Sequence, residues 1–156
     1  MPTTARDHNR ISLIFRGRYE EYPNHDNTLH PGMLAYVDFA GRVRKHAEPA
    51  AGGECIIVDM DLKRGGTVDS VYTAAQDQDV IPCLFPLEGD VMAVLVAANQ
   101  TTEVGKQLAS NGDGTFVNGD INKFSFFVAL EAKTSASNFL VKARRISTHN
   151  KTDESS

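Results

Sequence analysis

Tryptophan is absent from this chain, cysteine occurs only twice, and helical periodicity is scarce. Two cysteines are too few for a disulfide-stapled scaffold. Cys55 and Cys83 both lie in apolar, strand-like runs, so they are read as buried, reduced thiols of a protein made in a reducing cytoplasm. A disulfide is the second alternative for them and a metal site the third. No apolar run approaches the roughly 18 residues that a membrane-spanning helix needs. Residues 1–10 are polar and lack the apolar centre of a signal peptide. An excess of basic residues is also missing. The net charge is −4 with a pI near 5.7, which argues against a dedicated nucleic-acid binder.

The 156 residues are 41% apolar and 23% charged, enough for one domain with a sizeable core. Short β-prone runs recur with turn signals between them: residues 11–15 (ISLIF), 33–39 (MLAYVDF), 42–46, 55–60 (CIIVDM), 80–85 (VIPCLF), 91–98 (VMAVLVAA), 124–132 (FSFFVALEA) and 139–146 (FLVKARRI). Pro82 marks the run at 80–85 as an edge strand or a bulge. Residues 67–75 suit one short helix. The expectation is an all-β fold, a small compact barrel or sandwich with at most one short helix and extended polar termini. Residues 1–10 read as a flexible arm, 11–146 as a single body and 147–156 as a disordered tail.

Chemistry is hard to find. SNGDGTF (residues 110–116) superficially suggests a calcium loop, but no Glu follows at the twelfth position and its flanks look like strands. Two glycines around Asp113 suit a tight hairpin instead. His25, His30 and His46, with Asp26 nearby, follow no ligand spacing and read as surface-loop histidines. No serine sits in a nucleophile elbow, and neither cysteine sits in a catalytic signature. The glycines match no phosphate-cradling loop, and the turn carboxylates select no pair. No cofactor, metal or catalytic residue is assigned.

Basic residues cluster at both ends: Arg6, Arg10, Arg16 and Arg18 near the start, and Lys142, Arg144 and Arg145 near the end. They are solvated faces or two patches that dock on an acidic protein surface. Nucleic acid would call for interleaved exposed aromatics, and these runs are apolar and core-like instead. The arm's apolar run adds Ile11, Leu13 and Phe15 to the candidate interface. In the run at 124–131, alternation puts Phe124, Phe126, Val128 and Leu130 on one face and Ser125, Phe127, Ala129 and Glu131 on the other. Phe127 then meets a neighbouring chain, or both faces are covered within one chain.

The ordered series of motifs adds a further reading. FRGRYEEY leads to LHPGMLAYVDFAGRVRKHA, then to GGTVDSVYTAAQDQDVIPCLFPLEGDVMAVLVAA, TTEVGKQLASNGDGTFV and FFVALEAKTSASNFLVKARRI. This order resembles the small capsid decoration (cement) proteins of tailed bacteriophages over residues 11–146. Two turns depart from that pattern, at Asp77-Gln78-Asp79 and at Leu87-Glu88-Gly89-Asp90. The resemblance implies a non-enzymatic virion protein, made in the bacterial host cytoplasm, that binds the outer capsid surface and stabilises the expanded shell. Its implied partners are the major capsid protein and further copies of itself, trimers first and dimers second, with no membrane and no direct nucleic-acid contact. The competing classes are another minor virion component, such as a fibre or tail accessory, and a small β-barrel enzyme or ligand-binding domain.

Overall fold

A computed structural model describes residues 8–24, 28–47, 54–61, 66–72, 80–119 and 124–150. Among these it contains thirteen strands and no helix. They are β1 (Ser12–Ile14), β2 (Arg18–Pro23), β3 (Leu34–Val37), β4 (Val43–Lys45), β5 (Ile56–Val58), β6 (Val80–Phe85), β7 (Val91–Val96), β8 (Thr101–Thr102), β9 (Gln107–Ser110), β10 (Phe116–Asn118), β11 (Phe124–Ala129), β12 (Lys133–Thr134) and β13 (Phe139–Asn150). The all-β expectation is met.

β7, β10, β9, β11 and β13 close into a five-stranded ring, because β13 pairs with β7 as well as with β11. Closure removes the exposed edges that an open sheet leaves. The ring is tight along β13 but interrupted along the other edge of β7. There, β1 takes Val91 and Met92, the Gly32 carbonyl accepts from Leu95 N–H at 2.9 Å, and the Phe116 carbonyl accepts from Ala97 N–H. The second sheet, in the order β2-β6-β5-β3-β4, is tied in through this gap by residues 29–34. Its outer strands approach each other at one bridge, Asn24 with Val43. A single apolar cluster runs through both sheets, from Ile11 and Leu34 to Phe116, Phe126 and Leu140. All six residues of β7 are buried, one face toward each half of the molecule. A β-branched or aliphatic run of that kind is what two-sided burial selects.

The SNGDGTF segment is a hairpin tip. Asn111 N–H donates to the Thr115 carbonyl, and Gly112 and Gly114 hold φ of 89° and 88°. The Asp113 carboxylate is turned inward, accepting from Thr115 N–H at 3.0 Å and from Asn111 Nδ2 at 3.3 Å. The tip docks on the second sheet, where the Gly114 carbonyl accepts from Leu34 N–H at 2.8 Å.

Three expectations are corrected, and the choice left open for Phe127 is decided. β6 is an interior strand, paired with β2 and β5, despite Pro82. Pro82 lies opposite Glu21 of β2 and one residue past the last β5 rung, Val58 with Cys83: its carbonyl accepts from Asp59 N–H, and the Asp59 carbonyl takes the Tyr72 hydroxyl at 2.9 Å in place of the missing proline N–H. Residues 67–72 form a turn and an isolated bridge between Leu29 and Tyr72, not a helix; residues 73–75 lie outside the described residues. β13 continues to Asn150, where it pairs with Phe124, so residues 147–150 are strand and not tail. Phe127 is buried, its ring edge-on to Phe116 at 5.5 Å. The register of β11 against β9 and β13 slips between Ser125 and Phe127. This bulge breaks the alternation, so Ser125, Phe126, Phe127 and Ala129 all point into the protein.

Candidate functional surface

β7 brings the two basic ends of the sequence together. Across it, Ile14 pairs with Val91 and Val91 with Arg144, while Ser12 pairs with Met92 and Met92 with Ala143. The N-terminal and C-terminal segments therefore flank one strand and form one continuous surface. Alternation along β13 sends Val141 and Ala143 inward and leaves Lys142 and Arg144 exposed. β1 is an edge strand, and its Leu13 and Ile14 are exposed. Just before it, His8 Nε2 donates to Glu131 Oε2 at 2.8 Å. The same Glu131 oxygen accepts from Lys142 N–H, and together these contacts outweigh burial and hold the carboxyl below its usual range.

The other expected interface residues divide. Arg10 is exposed. Ile11 is fully buried and belongs to the core, where its carbonyl accepts from Ala93 N–H, so it offers nothing to a partner. Phe15 is half-buried against the same core. Arg6 lies outside the described residues. Phe127 takes no part in the surface because the bulge turns it inward. Arg145 is drawn partly inward too: its Nη1 donates to the Phe126 carbonyl at 3.1 Å, the group that the bulge removes from the ladder. Arg16 remains largely outside and lies 3.6 Å from the fully buried carboxylate of Asp90.

Arg16, Arg18 and Arg145 meet around a cavity of about 490 Å³ that also touches Glu54, Phe85 and Leu87. The Arg18 guanidinium stacks over the Phe85 ring at 3.9 Å and pairs with Glu20 and Glu54. Leu87, which lines the cavity, opens the turn at residues 87–90, one of the two departures from the decoration-protein pattern. The turn is well formed: Leu87 N–H donates to Asp90 Oδ2, and Gly89 sits at φ 96°. The other departure, residues 77–79, lies outside the described residues.

The surface-loop expectation for His46 is corrected. The residue is buried, its Nδ1 lies 2.8 Å from Ser110 Oγ, and its ring meets Phe126 edge-on, so it is a core residue that fastens the two sheets. His30 is half-buried, and His25 and Asp26 lie outside the described residues. Cys55 and Cys83 are free, buried thiols, as expected, and burial pushes each up to about 12.

Among the described residues, Asp59 is the one carboxyl raised well above its ordinary range. Burial pushes it up to about 6, against the pull of Met60 N–H and the Arg10 charge. Its unfolded value is about 3.9, so between about pH 4 and 6 the folded chain binds more protons than the unfolded one. Stability should therefore fall as pH rises through that window. Asp59→Asn keeps an acceptor for Met60 N–H and removes the charge. It is expected to raise stability at pH 8 by about 3 kcal/mol and to leave it nearly unchanged at pH 4. Thermal melts of both proteins at the two pH values test this, and equal melts at pH 8 would refute it.

The described residues define an all-β protein with a closed ring and a strand surface from which Lys142 and Arg144 stand outward. No family model matches this chain, and no curated protein matches it.

Proposed function

We propose that this chain is a non-enzymatic virion protein that binds the outer surface of a tailed-phage capsid and stabilises the expanded shell, with copies associating with one another. The observation that carries this reading is the surface that β1 and β13 make on either side of the buried strand β7. Lys142 and Arg144 stand outward from it, beside an edge strand with exposed Leu13 and Ile14. A free strand edge offers main-chain hydrogen bonds to a partner with little demand on its sequence. Flanking cations select an acidic surface and speed docking on it. Many weak copies of such a contact on a symmetric shell add up through avidity. The ordered motifs that resemble decoration proteins agree with this use.

Co-sedimentation with expanded shells that lack a decoration protein tests the reading. The wild-type chain should pellet with the shells, and less so as salt rises. Lys142→Glu combined with Arg144→Glu should weaken binding at least tenfold while the circular dichroism stays native. Absence of wild-type binding, or undiminished binding by the double variant, would count against it.

A ligand-binding domain is the second reading, and the arginine-lined cavity is what favours it. Its positive charge is largely spent within the chain, however. Asp90 lies against Arg16, Glu20 and Glu54 against Arg18, and the Phe126 carbonyl against Arg145.

A further inference from the structure

The tip joining β3 to β4 holds Phe39 entirely outside the protein, at 112% relative exposure. This is not a loose loop. Asp38 Oδ1 accepts from Ala40 N–H at 2.9 Å and Arg42 N–H at 3.0 Å, and Oδ2 accepts from Arg44 Nε at 2.7 Å. The Gly41 amide closes back on the Asp38 carbonyl, and Gly41 takes φ 79°. Those bonds, Arg42 N–H first and the Arg44 side chain second, hold the Asp38 carboxyl down at about 2. A fixed turn that presents a large aromatic to water, with the exposed Arg42 beside it, is a pre-formed anchor.

An opposite surface lies on the same chain. β2 is an outer strand of its sheet, and Tyr19 on it is 47% exposed. Its hydroxyl donates to Glu21 Oε2 at 2.9 Å. Burial, then Glu21, then the charges of Asp59 and Asp61 raise that hydroxyl to about 12, and Glu21 is the carboxylate in direct contact with it. Arg10 offsets part of the Asp59 charge.

We infer that the Phe39 tip of one copy docks on the Tyr19–Glu21 face of β2 of a second copy. Aromatic meets aromatic, and arginine meets carboxylate. Tip-to-tip packing is disfavoured because it sets Arg42 against Arg42. Because the two faces differ, the contact is head-to-tail and propagates until a ring closes. The inference rests on the self-association part of the proposed function and not on capsid binding.

Sedimentation equilibrium of the full chain tests it. Wild type should exceed the monomer mass. Phe39→Ser and Arg42→Glu should each weaken association at least tenfold with native circular dichroism. Arg42→Glu combined with Glu21→Arg should recover it. A monomeric wild type refutes both the contact and self-association of the isolated chain. An assembled wild type whose single variants keep its mass refutes only this surface, as does a charge swap that stays folded without recovering. Monomeric wild type that floats with phosphatidylserine vesicles, while Phe39→Ser does not, would reassign the tip to a lipid surface.

Discussion

Phe127→Asp is expected to leave the chain unfolded at 25 °C. Phe127 is fully buried, stacked edge-on against Phe116 in the middle of the ring. Truncating a core phenylalanine costs about 3–5 kcal/mol. Placing an unpaired carboxylate in the space adds several more, because nothing there replaces its hydration. The sum approaches the whole stability of a typical domain, about 5–15 kcal/mol. Circular dichroism should show loss of the strand signal, and Phe127→Leu should keep it at a cost of about 1.5 kcal/mol or less. A folded Phe127→Asp variant of reduced mass would mean that Phe127 faces a neighbouring chain and not the core.

Gly17→Ala should also be strongly destabilising, for a different reason. Gly17 joins β1 to β2 and passes the end of β6. A Cβ there would stand 2.0 Å from the Phe85 carbonyl oxygen and 2.9 Å from its carbon. Both are backbone atoms of a residue held in register with Arg18, so neither side yields cheaply. Overpacking against rigid structure costs about 1–3 kcal/mol or more, and the upper end is expected here. For a chain of this length, about 3 kcal/mol corresponds to a fall in melting temperature of roughly 6–12 °C. A melting temperature within about 1 °C of wild type would show that the approach is looser than drawn.

The body of this fold was legible because its strands are apolar runs bounded by turn residues. The buried thiols and the hairpin at residues 110–116 followed from the same local signals. β2 escaped because RYEEYP carries no apolar alternation; it is a largely solvated outer strand, fixed by its partner β6 and not by its own composition. Phe127 was ambiguous because a bulge cannot be seen in a side-chain pattern that assumes a regular pleat. His46 looked like a loop residue because its burial depends on Ser110 and Phe126, which lie more than sixty residues away. The cationic surface was half legible. Both basic segments were visible, but their meeting depends on which strand each one joins, and that is a property of the closed ring.

β1 pairs with Met92 and Val91, about eighty positions further along the chain. That separation has a consequence for the order in which the protein is made. Synthesis at about 5–20 residues per second leaves residues 12–14 without a partner for roughly 4–16 seconds before the β7 segment is translated. Contacts this distant also slow folding in general, since a long loop must close before any pairing rewards it. Once β7 is made, its edge at Val91–Ala93 becomes a short apolar template beside the waiting N-terminal strand. Where several copies are translated side by side, that template is open to whichever strand arrives first, including one from another chain.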